Sequence, residues 1–183
     1  MTTPDRPTTL IAGIGNIFLG DDGFGCAITH ALLQTEIPEG AKVVDYGIRG
    51  IDLAYALLEP YDKIILVDAI SRGEAPGTVY VLRPAEGTSS DASLDPHSMD
   101  PVHLMAMARL LGEIAAAIYI VGCEPLDFGD ELEGRMGLSD RVRNSIPEAV
   151  RAVLDVVHLP LSNIHRQGEG ACAHTAQPQG EYL

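Results

Sequence analysis

At 183 residues, with Lys+Arg 12 against Asp+Glu 26, the chain has a formal net charge of -14, which repels phosphate backbones and anionic lipid and argues against nucleic acid and membrane surfaces as partners. A chain this long buries roughly 70% of its unfolded surface on folding, enough for one core without staples, and Cys26, Cys123 and Cys172 are an odd number without close spacing, which fits neither a disulfide framework nor a zinc cluster. No cationic segment leads into an apolar run at the N-terminus and no stretch has 18 uninterrupted apolar residues, so neither a signal peptide nor a transmembrane helix is expected and the reduced cytoplasm is the expected compartment.

Residues 8–14 read as a buried strand, an apolar run without polar alternation, followed by Gly13, Gly15 and Gly20 as turn material. A helix is expected over about 22–34, a second strand over 42–45, a helix over 50–58, and a third strand over 63–69, whose Ile64-Ile65-Leu66-Val67 has no solvent face. That alternation is the pattern of a parallel α/β sheet. Pro76-Gly77 is turn punctuation, and the alternating 78–82 behind it predicts an antiparallel edge strand, because the connection is too short for a helical crossover. Pro101 suits a first helical turn, with Asp100 or Ser98 as cap and Gly112 as stop, giving a helix over 101–111. A last buried strand is expected over 116–123, and a closing helix over 139–157 in which Pro147 predicts a kink or break. The fold class is therefore α/β: a three-layer sandwich with a mostly parallel, twisted sheet of about five strands, one antiparallel edge strand, and helices on both faces. Residues 1–160 form one domain, and 161–183, rich in Gly, Gln, His and Pro, are expected to be a disordered tail.

Gly13-x-Gly15 after a strand, with Asp45 closing the next strand, invites a dinucleotide reading. Phe18 stands where the fingerprint needs its third glycine. Asp21 and Asp22 also occupy the turn where pyrophosphate would lie, and like charges about 4 Å apart repel by roughly 4 kcal/mol at an effective dielectric near 20. There is no Gly-x-Ser-x-Gly elbow and no His-Glu-x-x-His helix, so a serine hydrolase of the usual α/β type and a helix-borne zinc protease are unsupported. Cys123 reads as a buried strand cysteine, since nearby acids disfavour its thiolate.

What remains is a set of acids and one imidazole at strand and helix ends. Asp22 follows the first strand, Asp68 ends the third, and His97 precedes the helix at 101. Ligands of parallel sheets bind at the carboxyl edge of the strands, so Asp22, Asp68 and His97 converge if the two apolar runs belong to one sheet. Two carboxylates and a histidine suit nickel, zinc, manganese or iron and leave coordination positions open. Asp21 points about 100° away from Asp22 and reads as a partner for the helix dipole. His103, six residues after His97, points elsewhere, and Asp100 either caps the helix or orients His97.

These residues resemble the nickel-iron hydrogenase maturation endopeptidases. Gly13-Ile14-Gly15-Asn16-x-x-Leu19-x-Asp21-Asp22-Gly23-x-Gly25 matches the family's opening signature, and Asp45-x-Gly47-x-x-Gly50 the second, with Ile48 standing where many members carry Thr. Val67-Asp68-Ala69 with Pro76-Gly77-Thr78, then Pro96-His97, then Val121-Gly122-x-x-Pro125 complete the ordered set over about 8–157. The resemblance implies an endopeptidase that removes a short C-terminal extension from the nickel-loaded large-subunit precursor of a nickel-iron hydrogenase. It implies Asp22, Asp68 and His97 as contacts to nickel supplied by the substrate. Asp45 joins these three as a catalytic candidate that positions a reactant, while attack through a nickel-polarised carbonyl or a metal-activated water stays open. A stand-alone metal-dependent amidohydrolase and a nickel-sensing chaperone without cleavage are the alternative readings.

Overall fold

The structure is a computed structural model and describes residues 8–84, 100–129 and 134–160. Its strands are β1 (Thr9–Ile14), β2 (Ala41–Gly47), β3 (Lys63–Ala69), β4 (Val79–Leu82) and β5 (Ala117–Cys123). The helices are α1 (Phe24–Leu32), α2 (Gly50–Ala56), α3 (Pro101–Leu111) and α4 (Asp140–His158). The strands form one sheet in the order β2-β1-β3-β5-β4, parallel throughout except for β4 against β5.

Two cores explain why the central strands read as unbroken apolar runs. Leu10, Ala12 and Ile14 of β1 pack with Leu53, Leu57 and Leu104 beneath α2 and α3, whereas Ile11 packs with Phe24, Ile28, Val142 and Val153 beneath α1 and α4. With helices on both faces, neither side of β1 or β3 meets water, so neither strand alternates. The expected three layers and the antiparallel edge strand are both present.

Element bounds follow the expectations closely, with three differences. The expected helix start at Asp22 is a 3-10 turn over Gly20–Gly23, and α1 begins at Phe24. Strand β2 runs on to Gly47 because the register shifts between Gly13 and Ile14, which face Asp45 and Gly47; such a bulge bends the strand end. Helix α4 continues unbroken through Pro147. Pro147 lies on the exposed side, where water can satisfy the carbonyl that loses its donor, while the buried stripe Val142, Ser145, Ala149, Val153 and Val156 holds the helix to the sheet. The expected tail at 161–183 lies outside the described residues.

Helix α1 sits unusually low on the sheet. A Cβ at Gly25 would stand 2.2 Å from the carbonyl oxygens of both Ile14 and Val67, and one at Gly13 would stand 2.5 Å from the Gly25 carbonyl oxygen. These obstacles are backbone atoms, which cannot rotate away. The first turn of α1 therefore rests directly on the carboxyl ends of β1 and β3.

Gly25→Ala should cost about 3 kcal/mol or more, because overpacking against backbone forces the helix off the sheet. Gly73→Ala, at φ +84 with nothing near its added Cβ, should cost only about 1 kcal/mol from backbone strain. Urea denaturation of both variants tests the contrast; equal losses would show that the close approach is not a constraint.

Candidate active site

The chain leaves β1 toward β2 on one side and returns through α2 to β3 on the other, so the crevice beyond the carboxyl ends of β1 and β3 is a topological switch point. Asp22 enters it from the loop after β1, and Asp68 lies near the end of β3. Asp45 ends the regular part of β2, opposite Gly13. The structure thus brings three of the sequence-predicted acids to one edge. His97 lies outside the described residues.

Asp22 is half-buried, and the Asn16 N–H donates to its Oδ2 at 2.6 Å. Burial raises its pKa above the ordinary carboxylate value, against the lowering effect of that bond. Asp68 is 5% exposed, and its Oδ1 accepts from the Ala69 N–H at 2.8 Å. Its pKa lies well above the usual value, first through burial and then through the charge of Asp22, with Asp100 adding to the rise and the Ala69 bond opposing it. Both carboxyls are thus held where ionising the pair is unfavourable. A cation placed between them would reverse that sign.

Cys26 completes the cluster and was not singled out from the sequence as a site residue. Its thiol donates to the Gly15 carbonyl at 3.4 Å. The thiol is pushed up to about 12 by burial, then by hydrogen bonding to Asp45 and the charges of Asp45, Asp22 and Asp68. A neutral thiol at the meeting point of three carboxylates is a spacer and weak donor, not a nucleophile. Its spacing of four residues from Asp22 across the 3-10 to α transition was the available signal. Gly15, at φ +121, closes this corner: its N–H donates to the Gly47 carbonyl at 3.1 Å, and an added Cβ would stand 1.8 Å from the Asp22 carbonyl oxygen.

Asp21 has a different role from the helix-dipole partner expected. It is fully buried, and its carboxylate accepts from Ser139 N at 2.6 Å, Ser139 Oγ at 2.9 Å, Leu126 N at 2.9 Å and Asp127 N at 3.2 Å. These bonds tie the loop carrying Asp22 to the loop after β5 and to the N-cap of α4. Asp100 is the cap of α3, accepting from Val102 N and His103 N, both at 2.9 Å, with His103 Nδ1 3.5 Å from its other oxygen. Cys123 is buried beside Ser145 Oγ at 3.3 Å, and burial pushes its thiol up to about 11, as its place inside the core predicts.

Among the described residues no three His, Cys, Asp or Glu side chains form a metal-binding group by themselves. No helix among the described residues is long and apolar enough to cross a membrane.

The model of the family described as hydrogenase maturation protease matches residues 26–156. This chain belongs to the hydrogenase maturation protease family. It is 32% identical over 148 residues to the hydrogenase 2 maturation protease of Escherichia coli K12, covering 79% of this chain and 87% of that one. It is 29% identical over 181 residues to the hydrogenase expression/formation protein HupD of Rhizobium leguminosarum, covering 97% of this chain and 82% of that one. The solved structure of the hydrogenase maturating endopeptidase HybD from E. coli superposes with a TM-score of 0.62 at 29% identity, over 81% of this chain and 91% of that chain. Membership makes this chain a hydrolase of hydrogenase maturation, and the acid-lined edge is the place in the fold where its chemistry can be sought.

The raised Asp68 pKa fixes a pH dependence. The folded state holds a proton that the unfolded chain releases above the ordinary carboxylate value of 3.8, so this contribution to stability is complete below that pH and is lost as pH rises through the folded value. Asp68→Asn keeps the acceptor for Ala69 without the charge. It should flatten the decline and raise stability at neutral pH by on the order of 1 kcal/mol, or about 2 to 4 °C in melting temperature for a chain this size. Paired thermal melts from acid to neutral pH check this; a variant less stable than the parent at neutral pH would contradict the burial of an unfavourable charge.

Proposed function

We propose that this chain is the endopeptidase that removes a short C-terminal extension from the nickel-loaded large-subunit precursor of a nickel-iron hydrogenase, reading the nickel already seated in that substrate. The observation that carries this reading is the Asp22 and Asp68 pair, whose ionised state is opposed by burial and by mutual repulsion. A substrate that brings its own cation relieves both, whereas an unloaded precursor leaves the two acids uncompensated. Selection for the loaded precursor then follows from electrostatics alone.

In this reading Asp22, Asp68 and His97 are the contacts to the substrate's nickel. Asp45, beside the Cys26 thiol, positions a reactant next to them. Carboxylates are modest nickel ligands beside thiolates, so the tight binding belongs to the substrate and the protease needs only to complete the shell. The fixed backbone around Gly15 and Gly25 keeps the acids in place before the substrate arrives, which lowers the cost of organising the site.

Asp22→Ala, Asp68→Ala and His97→Ala should each abolish processing without loss of fold, and Asp22→Glu should keep it. Purified protease is mixed with precursor matured with or without nickel, and the released C-terminal peptide is followed by mass spectrometry. Cleavage of only the nickel-loaded precursor is the expected result. Efficient cutting of verified nickel-free precursor would replace this reading with a stand-alone amidohydrolase; nickel-dependent binding without cutting would replace it with a chaperone.

A further inference from the structure

Five large apolar side chains lie exposed together beside Asp22: Ile17 at 46%, Phe18 at 56%, Leu126 at 54%, Phe128 at 40% and Met136 at 71%. Single exposed apolar residues need no explanation, but a contiguous group marks an interaction surface. Contiguity here is set by the backbone. Gly20 N donates to the Arg135 carbonyl at 2.7 Å, Arg135 N to the Phe18 carbonyl at 2.7 Å, and Asp21 N to the Asp127 carbonyl at 3.1 Å. From beneath, the buried Asp21 carboxylate takes the N–H groups of Leu126 and Asp127. Three separate chain segments are thus stitched into one platform whose apolar side chains face outward.

We propose that this platform is the docking surface for the body of the large-subunit precursor, an apolar protein surface that surrounds the metal centre to be read by Asp22 and Asp68. This rests on the function proposed above and adds where the substrate is held. Charge selects the occupant. Within residues 16–20, 126–129 and 134–136 the only charged side chains are Asp127 and Arg135, which pair at 2.6 Å. Beside that pair the bordering charge is acidic: Asp22, held by the Asn16 N–H, and, in sequence between 129 and 134, Asp130, Glu131 and Glu133, which calls for a partner that brings a cation alongside its apolar surface. A second copy of this chain brings the opposite: another net charge of -14, with a two-fold contact setting two acid pairs close together. Anionic lipid is repelled on the same ground.

The double variant Phe18→Ser with Met136→Ser removes two exposed anchors. It should leave the melting temperature unchanged, weaken binding to immobilised nickel-loaded precursor by on the order of tenfold or more, and lower kcat/KM through a higher KM. Leu126→Ser with Phe128→Ser is an independent pair with the same expectation, so a folding defect in one pair does not stop the test. Leu110→Ser, equally exposed at 74% but near the far end of α3, is the control and should bind precursor like the parent. If the parent cuts the precursor and both double variants bind and cut it equally well, the platform is not the docking surface and the proposed function stands without it. If the parent neither binds nor cuts verified nickel-loaded precursor, the function reading falls and takes this inference with it. A parent dimer in sedimentation that the double variants dissociate, with precursor binding unchanged, would assign the platform to a second copy and overturn the proposal.

Discussion

The close contact between Gly25 and the ends of β1 and β3 is the constraint on which the rest of the site depends. With 2.2 Å between a hypothetical Cβ and two backbone carbonyls, no other residue at position 25 lets the first turn of α1 reach the sheet. Because the turn is that low, the loop before it must fold back over the strand ends. Asp22 arrives beside Asp68, and Cys26 beside Asp45, as a result. The acids are brought together by packing that contains no charge at all, which is how a fold can assemble groups that repel each other: the apolar cores on both faces supply far more stabilisation than the pair costs.

Buried charges elsewhere in the molecule show what a satisfied one looks like. Lys63 is 3% exposed and donates to the carbonyls of Val156, Val157 and Leu159 at 2.7, 2.8 and 2.8 Å, fastening the end of α4 to the start of β3 although burial still lowers its pKa. Burial would raise the Glu124 carboxyl, but bonds from Tyr80, Arg72, Gly73 and Glu74 outweigh it and hold the group below its ordinary value. That glutamate pins the loop after Asp68, with Tyr80 Oη at 2.5 Å and Arg72 N at 2.8 Å. Asp21, with its four donors, belongs with these two. Against them, Asp22 and Asp68 each have one backbone donor among their described bonds and a raised pKa. The smaller number of donors sets these two apart from the acids that tie loops together.

The two adjacent aspartates make the point sharply. Asp21 and Asp22 differ by one position along a tight turn, so their side chains diverge. One is directed into the protein, where it knits the Asp22 loop to the base of the apolar platform and to the cap of α4; the other stays in the crevice. The buried acid therefore fixes the frame of the one in the crevice. Loss of Asp21's carboxylate would leave the buried Ser139 N–H without its acceptor, a cost typically of about 1 to 3 kcal/mol, and would release the part-buried N–H groups of Leu126 and Asp127.

By itself the sequence determined most of the architecture. The unbroken apolar runs of β1 and β3, the short Pro76-Gly77 connection and the Asp100-Pro101 helix start are local signals, and each produced the element it predicts. It also marked Asp22, Asp45 and Asp68, because all three stand at the ends of strands or at helix starts, and the carboxyl edge of a parallel sheet is known before any coordinates are. Tertiary structure decided the rest. The four donors to Asp21 come from more than a hundred residues along the chain, as the pairing with Ser139 shows, and no local pattern reports such a bond. The exposed platform joins segments around Phe18, Leu126 and Met136 that are distant in sequence. Pro147 reads locally as a kink or break, and the helix is not broken there because the buried stripe of α4 holds both halves to the sheet. Local pattern fixes which element a residue belongs to; which charges are answered by donors depends on what the folded chain brings alongside them.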